Sequence, residues 1–97
     1  MSQTTKQRLI RVSTDSGEVV GPKGTFRTGK SMSFVLALLA TGERVPVKDL
    51  IKFGTWRSPA DMMTDMRHAE RRLNSVGVDL LQKGLSTPQG TLRLRAS

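Results

Sequence analysis

The sequence contains no cysteine, one histidine and only eight Asp or Glu among its 97 residues. Without cysteine there is no disulfide framework, no thiol nucleophile and no Cys-based zinc site. His68 is the sole histidine, and with no cysteine to join it, it is a poor candidate for a metal ligand. Neither a metal centre nor a Ser/His/Asp or paired-carboxylate site can be assembled from so few groups, so no metal, no cofactor and no enzymatic activity are expected. Long apolar runs are missing as well. The longest, Phe34 to Ala40, is far too short to span a bilayer, and no apolar signal-peptide core follows the basic residues near the N-terminus. The expected setting is cytoplasmic and nucleoid-associated, with no membrane partner.

Positive charge is what the chain has in excess. Sixteen Lys and Arg against the eight acids give a formal net charge of +8. On so small a surface that points to a polyanion, nucleic acid first and an anionic membrane second. The length suits one compact domain with a modest core and is too short for two. Residues 1–7, "MSQTTKQ", are polar and read as a flexible N-terminus, leaving 8–97 as a single domain.

Along that domain, "RLIRVS" and "GEVVG" are short β-branched segments joined by the turn residues of "TDSG", which predicts a hairpin. "GPKG" is a second turn signal, and "TFRTG" is a candidate third strand. From Ser31 the pattern becomes densely apolar. "SMSFVLALLA" predicts the most buried helix, with Ser31 or Ser33 as N-cap and Thr41-Gly42 as its stop. "PVKDLIKF" predicts a second helix with Pro46 near its first turn, Leu50 and Ile51 inward and Gly54 at its end. Trp56 is expected to pack beside it.

The third helix is the most strongly signalled. Ser58 is a cap residue, Pro59 fits the first helical position, and Asp61 suits the positive end of the helix dipole. Met62, Met66, Ala69, Leu73 and Val76 recur at spacings that put them on one apolar stripe. The opposite side collects Asp61, Thr64, Asp65, His68, Arg71, Arg72 and Ser75, with Arg67 on one flank. Met63 lies off the stripe and is a candidate for a protein contact; the methionines otherwise read as gap-filling core. Beyond Gly77, "VDLLQKG" and "TLRLRAS" predict a terminal hairpin in which Leu92 and Leu94 alternate with Arg93 and Arg95. Lys83, Ser86, Thr87 and Gln89 fall at or near its tip.

The order helix, helix, basic helix, hairpin resembles a winged helix. More narrowly, "LATGERVPVKDLIKFGTWRSPADMMTDMRHAERRLNSVGVDLLQKG" with "TLRLRA" resembles the DNA-binding effector domain of OmpR/PhoB-type response regulators over about residues 8 to 96. Within it, "GERVPVKDLIKF" resembles the family's approach to its second helix, and "MRHAERRLNSVGV" its recognition helix. Three features depart from the family pattern: Pro46 at a position usually given to a Ser-like cap, Asp65 on the groove face, and a hairpin without the usual Gly-Tyr ending. No receiver domain is expected in front of this domain, and hence no control through a receiver aspartate within this chain.

The resemblance implies an α+β, winged helix-turn-helix fold with a small N-terminal antiparallel sheet, three helices and a C-terminal β-hairpin wing. It implies a transcriptional regulator of double-stranded DNA, acting alone or as a homodimer on repeated half-sites. The helix at about 59–76 would enter the major groove and the wing would touch the backbone or minor groove. Thr64, Arg67, His68, Arg71 and Arg72 on the helix, and Lys83, Thr87, Gln89 and Arg93 on the hairpin, are the candidate DNA contacts. Asp65 has three readings: accepting from a cytosine amino group, repelling phosphate, or pairing with His68 or an arginine. A different class of function is an adaptor of the same shape that docks on RNA polymerase or a nucleoid protein, suggested by Asp61, Asp65 and Met63.

One further motif needs weighing. Gly24, Gly29, Lys30 and Ser31 satisfy the G-x-x-x-x-G-K-[ST] pattern of phosphate-binding loops. That loop requires a parallel sheet that 97 residues with only short β segments cannot build. The expected role is a basic lead-in to the first helix, close to DNA phosphates.

Overall fold

A computed structural model describes residues 8–84 and 89–96. The expected flexible N-terminus at 1–7 and the hairpin tip containing Ser86 and Thr87 lie outside the described residues. Among the described residues the fold is mixed α+β, with three α-helices, one 3-10 turn and two small antiparallel sheets.

Strands β1 (Arg11–Val12), β2 (Glu18–Gly21) and β3 (Gly24–Arg27) form the first sheet as a meander in the order β1-β2-β3. The segment read as a third strand therefore pairs as expected, Val19 opposite Phe26 and Gly21 opposite Gly24. This sheet is not a free appendage. Lys23 N–H donates to the Val76 carbonyl at 2.9 Å, and a Cβ at Gly21 would lie 2.6 Å from Val76 Cγ2. The β2-β3 turn is thus pressed against the far end of the third helix, and only glycine admits that approach.

Helix α1 (Lys30–Leu39) buries Met32, Ser33, Val35, Leu36 and Leu39, while Phe34 and Leu38 remain at the surface. Its burial is one-sided. Neither expected serine caps it: Gly29 is the N-cap, with no side-chain bond, and Ser33 Oγ instead donates to the Lys30 carbonyl at 2.6 Å from a fully buried position. A serine hydroxyl inside the first turn finds a backbone carbonyl there and is satisfied without leaving the helix.

The predicted second helix is shorter and divided. Val45–Pro46 is a two-residue strand, β4, followed by one turn of α-helix, α2 (Val47–Leu50), and a 3-10 turn over Ile51–Phe53 that Gly54 ends. Pro46 is its N-cap, Leu50 is fully buried and Ile51 half-buried. Trp56 packs over Gly54, where a Cβ would meet the indole at 2.5 Å.

Helix α3 (Pro59–Ser75) matches its expected limits. Met62, Met66, Ala69, Leu73 and Val76 are all buried. Met63 is buried as well, at 7 % exposure, which removes it as a surface contact. The buried arc of α3 is therefore wider than the single stripe its spacing outlines. Gly77, at φ 98°, provides the left-handed residue that ends the helix. Strands β5 (Val78–Lys83) and β6 (Thr91–Ala96) follow, and β4 adds to the outer side of β6, giving the order β4-β6-β5. Val78, Leu80, Leu92 and Leu94 turn inward onto the same core as α1 and α3. No helix among the described residues is long and apolar enough to cross a membrane.

Candidate nucleic-acid interface

The outward side of α3 divides into groups that the fold engages and groups that it leaves available. Ser58 Oγ accepts from the Asp61 N–H at 3.2 Å, and the Asp61 carboxylate accepts from the Arg57 N–H at 3.1 Å. Asp61 therefore fixes the entry to the helix, where its charge also suits the dipole. Thr64 Oγ1 donates to the Ala60 carbonyl at 3.2 Å. Asp65 Oδ2 accepts from the Trp56 indole N–H at 2.7 Å. Of the readings open for Asp65, pairing is what occurs, but its partner is neither His68 nor an arginine.

Arg67, His68 and Arg71 are exposed and form no hydrogen bond or ion pair among the described residues. A solvated helix face laced by carboxylates would have joined these arginines to Asp65 or Glu70. No such bridge is present. Arg72 differs from its neighbours, since its Nη1 donates to the Arg27 carbonyl at 2.7 Å and ties α3 to β3. One of the four basic positions is thus partly structural.

Beside this face runs a cleft of about 340 Å³ between the β3-α1 junction and α3. Lys30 enters it from α1, His68 and Arg72 from α3, and Trp56 and Asp65 close one side. The phosphate-loop pattern does not form a loop here. Gly24 to Arg27 is strand β3 of an antiparallel hairpin, so only Thr28 and Gly29 separate strand from helix. Two residues are too few to wrap a phosphate, yet Lys30 does join the basic surface of α3.

On the terminal hairpin Lys83 and Gln89 are exposed and Arg93 is half-buried on the outer side of β6. These belong to a different element from the α3 set, as the sequence implied. Lys30, Trp56 and the Arg27 carbonyl were not foreseen as partners of the α3 residues. The only sequence signals for them were a basic lead-in to α1 and a tryptophan just before α3. Compared with protein-family models, curated proteins and solved structures, the chain matches none.

Proposed function

We propose that the protein binds double-stranded DNA through a winged helix-turn-helix, with α3 in the major groove and the β5-β6 hairpin against the backbone or minor groove. The observation that carries this reading is the exposed, unpaired set Arg67, His68 and Arg71 on α3, beside a cleft lined by Lys30 and Arg72. The element order helix, strand, helix, helix, strand, strand, with β4 paired on β6, supports it. So does the net charge of +8.

In this reading Arg67 and Arg71 supply guanine contacts or phosphate neutralisation, and Thr64 and His68 flank them. Lys30 and Lys83 neutralise phosphates on either side. Arg72 acts mainly by fixing α3 to the first sheet. A transcriptional regulator, acting alone or as a dimer on repeated half-sites, is the role such a module fits. The test is binding of duplex DNA by the Arg67→Glu/Arg71→Glu double variant, which spares the Arg72 tie. Loss of binding with an unchanged melting temperature supports the reading, and retained affinity contradicts it.

A second reading, an adaptor docking on polymerase or a nucleoid protein, is favoured by one observation. Phe34 and Leu38 stand 36 % and 42 % exposed one turn apart on α1, with Phe34 stacked on Phe53 at 6.1 Å between ring centroids. A pull-down after nuclease treatment separates the two readings, because an adaptor keeps its partner when DNA is removed.

A further inference from the structure

The outer face of the second sheet gathers cations in a way that the α3 reading does not require. In the β5-β6 register Asp79, Leu81 and Lys83 stand opposite Arg95, Arg93 and Thr91, alternating with the buried Val78, Leu80, Leu92 and Leu94. This set therefore points away from the core and from the helices packed on it. On the other side of β6, Val45 pairs with Leu92, which brings the preceding residue, Arg44, alongside Arg93. Arg44, Lys83 and Arg93 line one groove of about 270 Å³, together with Gln82, Thr91 and Leu81.

Three features of this groove are unusual. Like charges set side by side on neighbouring strands repel, yet Arg44, Lys83 and Arg93 have no ion-pair partner among the described residues. The carboxylate on this face, Asp79, is one rung away and already pairs with Arg95 at 3.5 Å. Arg93 Nε is also buried with no hydrogen-bond partner among the described residues, so the guanidinium rests in an arrangement that leaves one of its strong donors unused. Thr91, the remaining polar side chain on this face, is able to donate.

We infer that this groove binds a phosphate group, either of a nucleic-acid backbone or of a phosphorylated small molecule. Turning the Arg93 guanidinium toward the groove allows Nε and one Nη to donate in parallel to two phosphate oxygens, the fork geometry that arginine offers and lysine lacks. Arg44 and Lys83 neutralise the remaining charge from either side, and Thr91 supplies a hydroxyl. The bound anion would relieve the repulsion among the three cations and satisfy the unused donor together. Lys83 and Arg93 are shared with the hairpin contact proposed above, but the site does not depend on α3 entering a groove.

The test follows the Arg93 Nε–H resonance of the full chain by nitrogen-15 NMR at constant ionic strength. Inorganic phosphate and a short DNA duplex are titrated separately into wild type and into the Arg67→Glu/Arg71→Glu variant. Phosphate is expected to move the Arg93 signal in both proteins, and Arg44→Gln to weaken that response about tenfold. If the duplex moves the same signal in the α3 variant, the source is a nucleic-acid backbone. If only free phosphate moves it, the source is a phosphorylated small molecule. An Arg93 signal indifferent to both, or a response unchanged by Arg44→Gln, overturns the site whatever α3 does. Arg44→Gln removes a repelled surface charge, so its melting temperature should not fall, which separates lost binding from lost fold.

Discussion

The two halves of α3 differ in what the fold does with their charges. In the first half both carboxylates are engaged, Asp61 by the Arg57 backbone and Asp65 by the Trp56 indole. In the second half Arg67, His68 and Arg71 have no protein partner among the described residues, and only Arg72 is tied down, through the Arg27 carbonyl. Asp61 thus sits where the helix dipole favours it and Asp65 is held by the preceding loop, whereas Arg67, His68 and Arg71 carry no such tie, although Glu70 lies among them. A count of charges along α3 does not reveal this; a count of partners does.

The largest expected effect falls on the available half. Arg67→Glu/Arg71→Glu should weaken duplex binding at least about 100-fold by reversing charge at two contacts. Its melting temperature should stay within about two degrees of wild type, since no bond is lost. Anisotropy and thermal melting together check this. A collapse of the fold would erase the distinction between engaged and available groups.

The next effect tests what holds α3 against the first sheet. Gly21→Ala forces a methyl into Val76 and should cost about 1–3 kcal/mol, read from chemical denaturation. A neutral outcome would mean that the β2-β3 turn is not seated on the end of α3. Asp65→Ala removes the Trp56 bond and should cost about 1 kcal/mol, discounted for its exposure. It also deletes a negative charge beside the available cations, so duplex binding should strengthen a few-fold while stability falls. Opposite movement of the two readouts is the signature sought. The smallest change is Ser58→Ala, which loses the cap on the Asp61 N–H for about 1 kcal/mol or less and leaves DNA affinity unaltered.

How much of this was legible in the sequence depends on how far apart the interacting residues lie. Ser58, Pro59 and Asp61 announce the start of α3, the spacing from Met62 to Val76 its buried side, and Gly77 its end. All of these signals are local, and all are realised. The alternation of Leu92 and Leu94 with arginines likewise gives the hairpin its inner and outer faces.

What was missed is long-range or too short to have a period. β4 is only Val45–Pro46, and it is a strand because β6 runs beside it. That pairing shortens the expected second helix from its front. The α1 cap fell to Gly29 because the helix starts at Lys30, ahead of both serines, and Ser33 lies buried inside it with its hydroxyl on the Lys30 carbonyl. The tie from Arg72 to the Arg27 carbonyl spans 45 residues, and its acceptor is a backbone atom that no side-chain pattern marks. Trp56 and Asp65, nine residues apart, meet only because the turn before α3 brings the indole back along the helix. The basic helix was readable as a candidate surface; which of its charges are free was not.

The most direct measurement is fluorescence anisotropy of wild type and of Arg67→Glu/Arg71→Glu with random-sequence duplex DNA across a salt series. The wild type should bind at low salt and lose affinity with a log-log slope of about −3 to −4, as expected when three or four cations neutralise phosphates. The double variant should bind far more weakly, with a slope shallower by about two. Wild type that fails to bind at low salt, or a variant whose affinity and slope match it, would contradict the assignment of α3 as a nucleic-acid surface.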